Sequence, residues 1–302
     1  MKIQGKIGRL AAALVAFACL AGVTPRAQQE LVMEPLKDAG LNVYPAFEGW
    51  YQNPDGTYTL LVGYYNRNKK QILDIPIGPE NRIEPGGPDQ GQPTHFLVGR
   101  GWGTVAIKVP KDFGQKKLTW TLTANGKTVS TPLGLTKGYQ IEPFLDAAMG
   151  NKPPTIKFSP TGKELTGPPA PLSEAHVVNG VAGEPVTLTY WISDDGHEEP
   201  PTGGSAAAAP PGGANAPPRR PRLSTILSKY RGPGDIRFAD STPDIDFKEN
   251  KVTTTATFSL PGEYFIRIEG NDSSGVGGGG FQCCWTTAYI KAVIKGGAST
   301  AK

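Results

Sequence analysis

Histidine and cysteine are scarce, with three of each in 302 residues. His95, His176 and His197 lie in separate segments and lack the close pairing of a zinc site. Cys19 falls in the N-terminal apolar stretch, which leaves only Cys283 and Cys284 for the body of the chain. No nucleophile motif is present. The run Gly277–Gly280 is followed by neither a helix pattern nor Lys-Ser/Thr, so it is not a phosphate cradle. No long stretch carries the 3.6-residue period of a helix. Beyond the N-terminus no apolar run approaches the ~20 residues needed to span a bilayer. These absences speak against an enzyme, although a Ser-His-Asp site is assembled spatially and leaves no fixed spacing.

Excess charge is missing as well. The whole chain has 31 Lys and Arg against 27 Asp and Glu. Residues 1–27 hold Lys2, Lys6, Arg9 and Arg26 and no acidic residue, so the remainder carries 27 of each sign. A neutral body gives no reason to expect a nucleic-acid partner. Those first residues read as a secretory signal: a basic start, an apolar run from Leu10 to Val23, and Ala27 as the small residue at the cut. A lipid anchor on Cys19 fits less well, because Ala16-Phe17-Ala18 is a poor lipobox. The expected product is exported to the periplasm or the medium, without a membrane span.

Glycine (39) and proline (29) are abundant. They punctuate short alternating runs, the pattern of an all-β chain. After a mobile lead-in at 28–42, residues 44–66 read as a hairpin around Asn53-Pro54-Asp55-Gly56. Leu73, Ile75 and Ile77 alternate, 78–93 reads as a loop, and Val105, Ile107 and Val109 share a face. Leu118, Trp120 and Leu122 lead into Asn125-Gly126, a strong hairpin signal. This makes 43–142 a first β-sandwich, with 143–152 as linker. Phe47, Trp50, Tyr51, Tyr64 and Tyr65 are expected to fill its core. An exposed row of them would instead suit a glycan or peptide.

Residues 153–296 read as a second sandwich. Val186, Leu188, Tyr190 and Ile192 share a face, as do Val252, Thr254, Ala256 and Phe258. Further strands are expected at 223–231, 235–238 and 285–294. Pro261-Gly262 turns into a strand in which Tyr264, Ile266 and Ile268 alternate with Phe265, Arg267 and Glu269, the period of one buried face. Between them, 199–222 is so poor in apolar bulk that it is expected to be disordered. Its exit carries Arg219, Arg220 and Arg222, read as a solvated loop end.

Two stretches resemble the PKD-like and cadherin-like domains of exported bacterial proteins. They are Gly183–Gly196, and Pro261-Gly262-Glu263-Tyr264 continuing to Asp272-Ser273-Ser274-Gly275. The resemblance covers about the last half of the chain and implies an immunoglobulin-type fold, so the whole is expected to be two immunoglobulin-like sandwiches in tandem. Placed on that fold, Asp194, Asp195 and Asp272 end at one pole beside Glu142 and Asp146. In cadherin-like proteins calcium binds there through several oxygens. The competing reading is ordinary Asp turns, and the acidic linker motif of that family is replaced here by Asn151-Lys152. Cys283 and Cys284 are expected to form a vicinal disulfide, against two buried thiols or bridges to another chain. The function implied is a non-catalytic, adhesion-like binding or structural module, its partner a protein or glycan of the cell envelope. The alternatives are an accessory carbohydrate- or peptide-binding protein, and a hydrolase with an unrecognised site.

Overall fold

The computed structural model describes residues 35–142, 150–196, 223–272 and 284–297. The expected signal peptide, the 199–222 insertion, Asp146, His197 and Cys283 lie outside the described residues. Every described strand lies within Leu36–Lys302.

The chain is all-β. In order, its strands are β1 (Val43–Gln52), β2 (Tyr58–Asn66), β3 (Leu73–Asp74), β4 (Asn81–Glu84), β5 (His95–Phe96), β6 (Gly99–Val109), β7 (Lys117–Ala124) and β8 (Lys127–Gly134). After them come β9 (Thr155–Lys157), β10 (Leu165–Thr166), β11 (His176–Val181), β12 (Pro185–Ser193) and β13 (Leu223–Arg231). The last are β14 (Ile236–Phe238), β15 (Lys251–Phe258), β16 (Gly262–Asp272) and β17 (Trp285–Lys295).

The first core lies between the sheet β1-β2-β6 and the sheet β4-β7-β8, with the short pair β3-β5 beside them. Leu60, Val62, Val105, Ile107, Trp120 and Leu122 meet there. Both expected hairpins form. Gly56 donates to the Asn53 carbonyl at 2.9 Å to close the first turn. Asn125 and Gly126 both take positive φ, at 49° and 73°, as the two-residue turn between β7 and β8 requires. Trp50 and Tyr64 are core residues and Phe47 packs against that core, whereas Tyr51 and Tyr65 are half-buried and lie outside it.

Two expectations change here. Residues 78–93 are not simply a loop, because β4 lies inside them and pairs with β7. Its Asn81 is fully buried. The Asn81 amide donates to the carbonyls of Ile75 and Pro93 (2.9 and 2.8 Å), while its oxygen accepts from Trp120 Nε1 at 3.0 Å. A polar side chain saturated in this way is stable inside a core, yet nothing in Asn-Arg-Ile-Glu announces a strand. The lead-in is also not mobile at its end. Asn68 accepts from the Leu41 N–H (2.7 Å) and donates to the Leu41 carbonyl (2.8 Å), and Leu41 is buried.

The second core lies between the sheet β10-β9-β12-β15-β14 and the sheet β11-β17-β16-β13. Leu188, Tyr190 and Ile192 from β12 meet Ala256 and Phe258 from β15 and Ile266 and Ile268 from β16, the faces that alternation predicts. β11, which no period marks, joins the second sheet parallel to β17.

The two cores share one compact unit, and the join between them overturns a further expectation. β16 should bury one face and wet the other. Instead Arg267 (9% exposed) and Glu269 (8%) on the second face are covered, along with Thr287 and Tyr289 of β17. The cover is the first half of the chain.

Candidate functional site

The joint is built where β13, β16 and β17 meet β5, β6 and the turn before β5. Its apolar centre is Leu61 against Trp285, flanked by Trp102, Ala106 and Ile141. Gly103, at φ +45°, allows this approach. A Cβ there would stand 3.0 Å from the Trp285 ring, and the backbone conformation itself disfavours any side chain.

Around that centre lies a ring of polar contacts. Tyr289 donates its hydroxyl to the Thr104 carbonyl at 2.7 Å. The Tyr230 hydroxyl stands 2.9 Å from the same carbonyl and 2.7 Å from that of Gly91. It has one proton for the two acceptors, so Tyr289 is what keeps Thr104 continuously satisfied. The two rings lie 4.9 Å apart. Burial pushes the Tyr289 phenol up to about 12 and Tyr230 well above the ordinary tyrosine value, so both remain protonated donors. The main chain crosses the joint too, as Thr94 N–H donates to the Tyr230 carbonyl at 3.1 Å.

Three cations complete the ring. Arg231 grips both oxygens of Asp89 (2.8 and 2.9 Å) and donates from Nε to the Gln92 carbonyl at 2.8 Å. That fork holds the Asp89 carboxyl below its ordinary value. Lys229 and His95 both reach Asp74 Oδ1 at 2.9 Å. Burial works against the Asp74 charge, but the two hydrogen bonds win and its pKa falls. Arg267 pairs with Glu269 at 2.6 Å and donates to the Trp102 carbonyl and the Thr287 hydroxyl. On the first-core side, Arg100 lies over the Trp102 ring at 4.2 Å and pairs with the buried Glu48 at 2.6 Å.

A groove of about 710 Å³ opens beside this ring. One wall is β6 from Val105 to Lys108. The opposite wall carries Val177, Phe265 and the Glu263–Lys291 ion pair (2.8 Å).

The aspartates proposed for calcium sit at the far end of β12 and β16. Asp194 feels the negative charges of Asp272 and Asp195, and burial first, then those neighbours, raise its pKa. Asp272 is buried and accepts from Asn151 Nδ2 at 2.8 Å, which ties the end of the expected linker into the second core. Among the described residues no group of three or more His, Cys, Asp or Glu side chains is placed to hold a metal ion. Glu142 is exposed. Cys284 is fully buried and disulfide-bonded, and its expected partner lies outside the described residues. His176 stacks on Phe158 at 4.6 Å, far in sequence from His95 at the joint. Among the described residues no helix is long and apolar enough to cross a membrane.

Alternation alone assigns Phe265, Arg267 and Glu269 to a solvent face, and no motif singles out Tyr230, Tyr289 or Gly103. The available signal was the density of large and charged side chains on that face of β16.

No protein-family model and no curated protein matches the chain. Among solved structures it is similar to domains 1–6 of the surface layer protein SbsC, with 8% identity and a TM-score of 0.23. That similarity covers 85% of this chain and 28% of the other, so the chain spans little more than a quarter of its neighbour. It is also similar to domains 4 and 5 of the S-layer protein SbsC, with 10% identity, a TM-score of 0.23, and coverage of 83% and 97%. Likeness of this degree carries no argument about what the chain does.

Proposed function

We propose that the chain is an exported, non-catalytic binding or structural module of the cell envelope or extracellular space, built from two immunoglobulin-like sandwiches locked at a buried joint. The observation that carries this reading is the joint itself. Tyr230, Tyr289, Asp74 and Asp89 have the shifted pKa values that mark functional groups in many proteins. Here burial in the joint raises the two tyrosines, Arg231 lowers Asp89 from across it, and Asp74 is lowered by His95 of its own half and Lys229 of the other. At the joint these groups fix geometry, as suits a rigid spacer that presents a surface. For the second half the reading is supported by the sheet orders β10-β9-β12-β15-β14 and β11-β17-β16-β13, which without the edge strands β10 and β11 are the orders expected of an immunoglobulin sandwich. Export rests on the basic start, apolar run and small residue of 1–27.

The test is fractionation of the native cell with an antibody to this chain, N-terminal sequencing of the product, and assay of the purified protein on a panel of esterase, peptidase and glycosidase substrates. The expected result is recovery outside the cytoplasm, a new N-terminus near residue 28, and no turnover. Retention in the cytoplasm with Met1 intact, or turnover abolished by a single substitution, overturns it.

A further inference from the structure

We infer that the groove beside the joint receives an extended segment of a partner polypeptide, added as a new strand on the free edge of β6. The inference rests on the binding-module reading above and gives it a site and a ligand class.

The first argument is the backbone. β6 ends the sheet β1-β2-β6, with no described strand beyond it. The Thr104 carbonyl accepts hydroxyls from Tyr230 and Tyr289 of the second core, so it points away from β2. Across a planar trans peptide the N–H of Val105 then points the other way, toward β2. Pairing is regular from Val62↔Val105 to Tyr58↔Val109. The two-residue repeat therefore turns the N–H and C=O of Ala106 and Lys108 outward.

Those outward groups line the groove. A row of donors and acceptors at strand spacing is matched by another polypeptide backbone and by little else, which is the basis of recognition by strand addition. The four residues Val105–Lys108 offer about 13 Å of edge, enough for a segment of about four to six residues.

The second argument is the facing wall. Val177 is 54% exposed, and Phe265 stands with it against the groove. A strand added to β6 would lay alternate side chains toward this apolar surface, with the Glu263–Lys291 pair at its border. The site is continuous with the joint, since the carbonyl of Thr104 belongs to the lock and Ala106 begins the open edge. Lys108, paired with Asp55 at 2.8 Å, puts a charge on that edge, a device that discourages indiscriminate pairing and leaves room for a selective partner.

The probe is a random heptapeptide display library panned against the full chain, with affinities of the enriched peptides measured by fluorescence polarisation. Enriched peptides are expected to bind about tenfold or more weakly when alternate amides are N-methylated, which removes the donors facing β6. A similar loss is expected with Lys108→Pro, because proline deletes one outward N–H on an edge strand that tolerates it. Val177→Glu, an exposed position, is the second variant and should weaken binding with an unchanged melting temperature. Failure to enrich any peptide, or binding indifferent to N-methylation and to both variants, overturns the inference. So does a glycan-array signal lost in Phe265→Ala, which would assign the groove to carbohydrate. A chain found outside the cytoplasm that enriches no peptide defeats this inference alone, whereas cytoplasmic retention defeats the export reading alone.

Discussion

Tyr230 and Tyr289, from different strands of the second core, aim their hydroxyls at one carbonyl of the first, that of Thr104. Tyr230 also has the Gly91 carbonyl within reach, at 2.7 Å. Tyr289→Phe should therefore cost about 0.5–1.5 kcal/mol, the net worth of a buried hydrogen bond. Tyr230→Phe should cost at least as much. The double variant should cost more than the sum, because only then is the Thr104 carbonyl buried without a donor. A urea-unfolding double-mutant cycle measures the coupling, and strict additivity would show that the two hydroxyls act separately.

Gly103→Ala combines a disfavoured φ with a methyl 3.0 Å from Trp285. The expected loss is about 1–3 kcal/mol, read as a drop in melting temperature. Trp285 fluorescence should move to the red as the joint loosens. A loss of stability with no spectral change would place the strain elsewhere.

Arg267→Met leaves Glu269 buried without its ion-pair partner and should destabilise by about 3–5 kcal/mol. Arg267→Met combined with Glu269→Met should recover most of that loss, since two apolar side chains need no counter-charge. Calorimetry is the measurement. The parent should unfold in one transition, because the two cores share this joint, and Arg267→Met should broaden or split it.

The Asp89 pKa is lowered by Arg231, so its contribution is present above the ordinary aspartate value, about 3.9. It is lost as pH falls through the lowered folded value. Asp89→Asn should therefore destabilise at pH 7 and leave stability unchanged near pH 2. Urea midpoints at both pH values decide it, and an equal loss at both would mean that hydrogen bonding, not charge, holds Arg231.

Asp194 has the opposite sign. Burial and two neighbouring carboxylates raise its pKa, so its ionised form weakens the fold as pH rises above the ordinary aspartate range. Asp194→Asn should raise the melting temperature at pH 7, with no gain near pH 3. The gain should be the same with and without millimolar calcium. A parent protein stabilised by calcium, with the effect lost in Asp194→Asn, would establish a cation site at the Asp194–Asp272 pole.

The amino-acid order alone determined the local structure. Alternation assigned the inward faces of β12, β15 and β16, and Asn125-Gly126 dictated a turn in which both residues take positive φ. Those features depend on neighbours one to four residues apart, so they can be read from the chain. Other features depend on contacts that no local pattern contains. Asn81 enters a core because Ile75, Pro93 and Trp120 satisfy it from three separate segments. β11 has no clean period because it is a parallel strand at the rim of its sheet. Above all, Arg267 and Glu269 occupy positions that a two-residue period assigns to water. Only the docking of Trp102, Gly103 and Thr104 against β16 and β17 buries them, because a period reports which face a side chain takes and not what another part of the chain later lays over it.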